Sequence, residues 1–207
     1  NAVELLDRGV FSLGPSPGGG NWNHVPGTPF APWSLFPENF FAFPRVALWG
    51  QFRWRASGQD FVFYTTHFDV YNGANEGLSQ VKSAALITDD AKARCRLLPA
   101  SPLAVVVGDF NGNQNDRAWK LFTGSHTNAG VTGDFTDSWW QVHGSWNNAG
   151  TFHGFAGGTQ PADRRIDWIL HRGGFTATQA VIATGSAVST NLATGHTHVL
   201  YPSDHYP

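Results

Sequence analysis

Four short segments of the sequence carry acidic, amide or imidazole side chains at or just beyond the end of an apolar run. Carboxylates and imidazoles that lie together can transfer protons, and carboxylate oxygens bind hard divalent cations. Strand ends meet at a rim of a sheet, where functional loops are common, so we expect the four segments to converge. They are Thr65-Thr66-His67, Gly108-Asp109-Phe110-Asn111, Arg165-Ile166-Asp167 and Ser203-Asp204-His205.

Asp109 and Asn111 follow the apolar run 105–107 and are separated by one residue. Side chains two apart on an extended segment point the same way, so this carboxylate and this amide could together orient a water and a phosphoryl oxygen. The alternative is an Asx-type turn after a strand. His67 ends another apolar run and could donate a proton to a phosphate, the alternative being a strand-end histidine with a structural hydrogen bond.

Asp167 lies within an apolar segment, where a carboxylate is costly unless it is paired. One partner is the imidazole of His205, in an acid–base pair that leaves Asp204 to face a divalent cation. The alternative is a surface ion pair of Asp167 with Arg164 or Arg165. Each of these segments is weak evidence alone, and their order along the chain makes the set stronger.

The elements that must position these side chains are mostly strands. Apolar residues at 46, 48, 52 and 54 share one face at the period of a strand, and residues 84, 87, 91, 95 and 98 form a helical stripe. Such a chain packs as two sheets face to face with helices outside. The predicted elements are an irregular Pro/Gly-rich segment 1–44, strands 45–54, 61–66, 103–107, 165–170 and 175–183, and helices 75–98 and 115–123.

The amino-acid composition limits the classes of protein to which this chain can belong. Hydrophobic residues make up 41% of the 207 residues and charged residues 14%, and the net charge is −2. These values predict a folded domain and argue against a broad basic surface for nucleic acid, although a bound cation can supply positive charge at a phosphate site. The low charge and few lysines indicate a secreted protein, and no apolar run approaches the roughly 20 residues of a membrane span.

Six motifs between residue 43 and the chain end resemble the endonuclease/exonuclease/phosphatase superfamily, which includes pancreatic deoxyribonuclease and inositol-phosphate 5-phosphatases. The resemblance implies one α/β (α+β) domain over 1–207, a deoxyribonuclease I-like four-layer sandwich of two central sheets flanked by helices. The motifs are Phe43-Pro44-Arg45, Tyr64-Thr65-Thr66-His67-Phe68-Asp69, Val107-Gly108-Asp109-Phe110-Asn111, Thr151-Phe152-His153-Gly154-Phe155, Arg165-Ile166-Asp167-Trp168-Ile169-Leu170 and Tyr201-Pro202-Ser203-Asp204-His205-Tyr206-Pro207.

The resemblance also implies a divalent cation, usually Mg²⁺ with Mn²⁺ or Ca²⁺ as alternatives, which polarises a phosphate oxygen. Asp109 matches the carboxylate that positions or activates the attacking water. Asn111 matches the amide that hydrogen-bonds this carboxylate and the phosphate. His67 matches the histidine that contacts the phosphate and protonates the leaving oxygen.

The remaining matches complete the implied site. Asp167 corresponds to the residue that orients the catalytic His205, and Asp204 corresponds to an acid on the metal side. Arg45 lies in a segment that supplies a phosphate or sugar contact. His153 lies in a loop that lines the substrate cleft, the alternative being loop packing alone.

The sequence departs from the family at both ends. The family's principal metal ligand is a glutamate on an earlier strand, and neither Glu4 nor Glu38 has a matching context, so we expect a chain truncated at both ends. The predicted function is a metal-dependent phosphoester hydrolase, either a phosphodiesterase/nuclease or a phosphomonoesterase, acting on a phosphorylated small molecule or nucleic acid. The alternative is a non-catalytic binding protein on a degenerate form of the fold. The oligomeric state is not indicated.

Overall fold

The structure is a computed structural model, and it describes residues 2–14, 45–70, 76–98, 103–190, 194–195 and 197–206. None of the helices in these ranges has the length and apolarity that crossing a membrane requires. The elements in chain order are β1 (Val3–Ser12), β2 (Val46–Trp54), β3 (Gln59–His67), α1 (Leu78–Cys95), β4 (Ala104–Asp109), α2 (Arg117–Phe122), β5 (Thr136–Asp137), α3 (Ser138–His143), β6 (Asp167–Arg172), β7 (Ala187–Thr190) and β8 (Thr197–Leu200).

Six of the strands form one mixed sheet in the order β1-β2-β3-β4-β6-β5, and β7 pairs with β8 in a second, two-stranded sheet. Only β3 and β4 run parallel, and all other neighbours are antiparallel. A parallel pair requires a crossover connection, and α1 supplies it between these two strands. The strands predicted over 45–54 and 61–66 are confirmed, and they form the β2–β3 hairpin with residues 55–58 as its turn.

The core lies between one face of the large sheet and the helices α1 and α2. Alternate residues of the central strands are buried on this face, including Val62, Tyr64, Val106 and Trp168. The Trp168 ring stacks on Phe110 at 4.4 Å between centroids. Each fully buried large apolar side chain contributes about 1.5–3 kcal/mol to the stability of the fold through the hydrophobic effect. The helical stripe predicted from the sequence is confirmed, because the residues at 84, 87, 91 and 95 are buried and Leu98, just past α1, is partly buried against the core.

The opposite face of the large sheet is apolar as well, but it is less covered. The period-two pattern of β2 placed Leu48 and Trp54 on a common face, and both side chains are about half exposed. The buried residues of β2 are instead Ala47 and Trp49, which face the helices. Both faces of this strand carry apolar residues, so periodicity identified the strand but did not indicate which face packs on the helices.

The prediction of an irregular segment over 1–44 is wrong for its first part. Val3–Ser12 forms an edge strand that pairs antiparallel with β2, with a register irregularity between Leu5 and Asp7. Phe11 is buried in the core at the end of this strand. An edge strand is exposed along much of its length, so it tolerates the charged residues that obscured its pattern. Residues 15–44, the rest of the segment predicted to be irregular, lie outside the described residues.

The strand predicted over 175–183 is also wrong. These residues are irregular, and side chains of α3, a helix that the sequence did not predict, satisfy part of their backbone. The Ala177 amide donates to Gln141 Oε1 at 2.7 Å, and the Ala180 carbonyl lies 2.8 Å from His143 Nε2. Backbone groups bonded to side chains in this way are not paired with a strand neighbour.

Candidate active site

Three of the predicted site residues form a row across adjacent strands. His67 ends β3, Asp109 ends β4 and Asp167 begins β6, and the register pairs His67 with Asp109 and Asp109 with Asp167. All three belong to the less covered face of the sheet, because they alternate with buried neighbours such as Thr66 and Trp168. The strand order therefore brings residues from three motifs that are far apart in the sequence into one continuous polar row.

The carboxylate of Asp109 lies at the centre of this row. Its Oδ2 is 3.3 Å from Nε2 of His67 and 3.9 Å from Nε2 of His205. His67 is more than half exposed, whereas the Asp109 side chain is 18% exposed. Solvent therefore reaches the imidazole more easily than the central carboxylate.

Asp167 and His205 form the acid–base pair that the sequence predicted. His205 Nδ1 lies 2.8 Å from Asp167 Oδ2. The backbone of His205 is held by an antiparallel bridge to Phe152, and the Thr151 carbonyl accepts the next amide, that of Tyr206, at 2.8 Å. The alternative of an Asp167–Arg165 ion pair is not realised, since Arg165 NH2 contacts Asp137 Oδ1 at 2.8 Å.

Asn111 has a left-handed backbone, with φ at 48°. Its backbone amide donates to Asp109 Oδ1 at 2.8 Å, whereas its side-chain Nδ2 donates to the carbonyl of Phe68 at 3.0 Å. The first contact is the Asx-type turn given above as the alternative for this motif. The backbone amide of Asn111, and not the predicted side-chain amide, therefore binds Asp109; this hydrogen bond fixes one oxygen of Asp109 and leaves the other towards the histidines.

The pKa values of this cluster are displaced. Burial raises the pKa of Asp109 above its ordinary value; the Asn111 amide opposes this, and the charge of Asp167 adds to it. Burial lowers the pKa of His205, but the hydrogen bond and charge of Asp167, with the charges of Asp109 and Asp204, outweigh burial and raise it overall. A carboxyl and a neighbouring imidazole whose pKa values are both raised suit proton transfer near neutral pH.

The same residues fit a divalent cation. Asp109, Asp167 and His205 each offer one ligand atom, and these atoms lie within 4.8 Å of one another. The charge of Asp167 adds to the raised pKa of Asp109, and a cation between the two carboxylates would relieve this repulsion. Hard cations prefer oxygen, so the carboxylates fit better than the imidazole, which is engaged with Asp167. Asp204 is outside this group of three, and its role as a metal ligand stays a prediction.

The two predicted substrate-contacting residues differ in surroundings. Arg45 precedes β2, and its NH2 lies 3.8 Å from Oδ1 of the buried Asp69, two residues beyond His67. His153 is only 1% exposed and packs on the Tyr206 ring at 4.0 Å between centroids. Its amide donates to the Asp204 carbonyl at 2.8 Å, so His153 helps to hold the segment that carries His205. Direct substrate contact by either residue stays a prediction.

Thr151 has a positioning role that the sequence did not reveal. Its hydroxyl oxygen accepts the amides of Ile166 and Asp167, each at 3.2 Å. Thr151 therefore contacts both the start of β6 and, through its carbonyl, the segment of His205. Its presence in a recognised motif was the only available signal, because its hydrogen bonds join residues far apart in sequence.

Two cavities flank the row. One of about 540 Å³ opens beside Asp109 and Asp167, and its lining includes Trp139, Ile169 and Val181. The other, of about 340 Å³, lies beside His205. Volumes of this order suit small-molecule ligands.

Solved structures with the same fold are available for comparison. An endonuclease/exonuclease/phosphatase family protein from Bacteroides thetaiotaomicron matches with a TM-score of 0.71 and 24% identity, over 99% of this chain and 63% of that chain. A mannosyl-6-phosphatase from the same organism matches at 0.68 and 24%, over 99% and 65%. An endonuclease/exonuclease/phosphatase from Bacteroides vulgatus matches at 0.58 and 25%, over 99% and 64%.

No protein-family model and no curated protein sequence matches the chain. The structural matches confirm the fold class predicted from the motifs, the α/β fold of the deoxyribonuclease I type. The chain spans less than two thirds of the length of each of these proteins.

Proposed function

We propose that this chain, which has the fold of endonuclease/exonuclease/phosphatase proteins, is a divalent-metal-dependent phosphoester hydrolase that uses an activated water. The observation that carries the proposal is the cluster of Asp109, His67, Asp167 and His205 at one edge of the sheet. It combines the partly buried carboxylate of Asp109 with one imidazole on each side. The imidazole of His205 is oriented by a second carboxylate, that of Asp167.

Asp109 accepts a proton from the attacking water. Its pKa is raised by burial, which brings the carboxylate closer to the basicity that a general base needs near neutral pH. The Asn111 amide occupies Oδ1, so Oδ2 is the oxygen that faces the reacting groups.

The two histidines contact the phosphate. Asp167 binds Nδ1 of His205 and thereby directs Nε2 towards Asp109 and the space beside it. The raised pKa of His205 keeps this imidazole protonated to higher pH, so it can donate to a phosphoryl oxygen. His67, on the exposed side of Asp109, protonates the leaving oxygen.

A divalent cation, Mg²⁺ by preference and Mn²⁺ or Ca²⁺ as alternatives, would be held by the carboxylate oxygens of Asp109 and Asp167, with Asp204 nearby. It would supply charge stabilisation to the phosphoryl oxygens. The chain's own contribution is the orientation of the donor atoms and the partial exclusion of water from Asp109.

The substrate class to test first is a phosphorylated small molecule, with nucleic acid second. A structural relative is a mannosyl-6-phosphatase, and the net charge of −2 does not favour a polyanion. We propose Arg45 and His153 as substrate-contacting residues and a secreted location, in line with the low charge of the sequence.

The test is hydrolysis by the naturally occurring protein of mannose 6-phosphate, an aryl monophosphate, a bis-aryl phosphate and plasmid DNA, with Mg²⁺ and with a chelator. Asp109→Ala and His205→Ala should each lower the metal-dependent rate by about 10²–10⁴-fold. Asp7→Asn, on the exposed edge strand, is the matched control and should retain the rate. Unchanged hydrolysis in either site variant would remove the catalytic assignment. Absence of any hydrolysis in the folded wild type would favour the binding-protein alternative.

A further inference from the structure

Gln80 is a buried polar residue that none of the recognised motifs includes. It is the third residue of α1 and is 1% exposed. It precedes Ala84 by four residues, so it lies on the same stripe of the helix as the apolar residues that face the core. An amide at such a position is costly unless its hydrogen bonds are made.

The carboxamide nitrogen of Gln80 contacts three backbone carbonyls from two different loops. Nε2 lies 3.1 Å from the Asp69 oxygen, 3.1 Å from the Phe110 oxygen and 2.8 Å from the Asn111 oxygen. The first carbonyl belongs to the loop after β3, two residues past His67. The other two belong to the loop after β4, directly past Asp109. One side chain from α1 therefore joins the two loops that leave the site.

Of the three residues whose carbonyls contact Gln80 Nε2, Asn111 makes the shortest contact, and its backbone is left-handed. Asn111, with φ at 48°, uses its own Nδ2 to bind Phe68 of the first loop. Gln80 ties the same pair of loops through the backbone. A backbone in this region persists when its surroundings over-determine it, and Gln80 supplies one of these constraints.

The oxygen of the same carboxamide indicates that packing alone does not explain the residue. Oε1 of Gln80 is buried and accepts no hydrogen bond from the part of the chain that the structure describes. A buried acceptor without a partner is unfavourable, and an apolar side chain of the same size would avoid it. The hydrogen bonds that Nε2 donates compensate for the cost of burying Oε1 without a donor.

We propose that Gln80 is a positioning residue of the site, which acts through Asn111. It holds the Asn111 backbone so that the amide remains on Asp109 Oδ1 and Oδ2 remains directed towards the histidines. This inference rests on the proposed function for its kinetic consequence, and its geometric consequence can be measured without any activity.

The kinetic test compares Gln80→Met, which keeps the length and removes the donor, with Thr88→Val on the same helix. Thr88 is fully buried and its hydroxyl has no hydrogen-bond partner among the described residues, so Thr88→Val controls for replacing a buried polar side chain of α1 without breaking a contact to the loops. Gln80→Met should lower kcat by about 100-fold with a smaller change in KM, as expected for a sub-ångström to ångström displacement of a reacting group. Thr88→Val should remain within about 2-fold of wild type.

A double-variant comparison separates positioning from general destabilisation. In an Asp109→Ala background, which lacks the carboxylate that the Asn111 backbone amide orients, Gln80→Met should lower the residual kcat by less than about 2-fold further, because its effect passes through Asn111 to Asp109. A full multiplication of the two losses, or an unchanged kcat in folded Gln80→Met, would overturn the proposal. If Gln80→Met does not fold, Gln80→Asn, which retains the carboxamide one methylene shorter, takes its place with the same expected pattern.

The activity-independent test is the amide proton resonance of Asn111 in an NMR spectrum. Gln80→Met should shift this resonance, because the amide moves relative to the Asp109 carboxylate, and Thr88→Val should not. An unshifted Asn111 resonance in Gln80→Met contradicts positioning even if hydrolysis is observed. If the wild type hydrolyses nothing, the proposed function fails, and this measurement alone decides the role of Gln80.

Discussion

The imidazole of His205 and the carboxylate of Asp167 lie 2.8 Å apart, although they are 38 residues apart in the sequence. The hydrogen bond fixes Nδ1 as the atom that faces Asp167, so Nε2 is the atom available to a substrate. The contact joins the first residue of β6 to a segment near the end of the chain. The acid–base character of the site depends on this pairing.

Asp167→Asn should lower the pKa of His205. Burial already acts to lower it, and the variant removes the hydrogen bond and charge of Asp167, the largest of the effects that oppose burial, leaving only Asp109 and Asp204 to do so. A raised pKa in the folded state stabilises the protein below the unfolded value of 6.5, and this stabilisation is lost as the pH rises through the folded pKa. The variant should therefore cost more stability at about pH 5 than at about pH 9.

The measurement for this prediction is an NMR titration of the His205 ring protons, assigned with the aid of His205→Gln, together with urea unfolding at the two pH values. A pKa that does not change in Asp167→Asn would show that the carboxylate is not what raises it.

Gly108→Ala should destabilise the protein by about 3 kcal/mol or more. Gly108 has φ at 144°, and a Cβ added there would collide with the carbonyl oxygen of Thr66 on the neighbouring strand β3. Gly58→Ala is the matched control, because its φ is 70° but its Cβ would meet no atom within 4 Å. The control should lose only the conformational term of about 1–2 kcal/mol. Equal losses in urea unfolding would contradict the proposed collision.

Arg165→Met should cost about 3–5 kcal/mol, because it leaves a buried carboxylate without its cation. The Arg165 and Asp137 side chains are 4% and 1% exposed, and Asp137 also accepts the first amides of α3. Arg117→Ala removes a partner from the exposed pair with Glu76 and should cost less than about 1 kcal/mol. Thermal and urea unfolding of both variants provide the comparison. A similar cost for the two pairs would show that burial does not govern the difference.

His171 should make the protein less stable at acidic pH. Burial lowers the pKa of His171, only partly opposed by the charge of Asp137, so the folded state favours the neutral imidazole. A lowered histidine pKa gives stability that is present above the unfolded value of 6.5 and is lost as the pH falls through the folded pKa. His171→Gln, which keeps a donor towards Gln141, should reduce the loss of unfolding free energy between about pH 7 and about pH 5. The same substitution at the exposed His143 is the control, and an identical slope in both variants would count against the buried imidazole as the cause.

The fold was predictable where the pattern of apolar residues is strong and local. The stripe of α1 and the apolar runs of β3 and β4 were identified correctly, because burial on one side leaves a periodic record in the sequence. The edge strand β1 left no such record, since much of it is exposed and it carries Glu4, Asp7 and Arg8. The segment 175–183 contains apolar residues, but its backbone bonds to side chains of α3. The spacing of apolar residues in the sequence does not indicate these bonds.

The candidate site divides in the same way. The sequence by itself determined which residue types stand at the ends of which apolar runs, and the order of these motifs was enough to predict the fold and the residues to examine. Tertiary structure decided that Asp109 lies between two histidines, that Arg165 turns to Asp137 instead of Asp167, and that Gln80 joins two loops from within a helix. The physical reason is that side-chain periodicity is a property of neighbouring residues, whereas strand register and loop contacts are set by interactions between residues far apart along the chain.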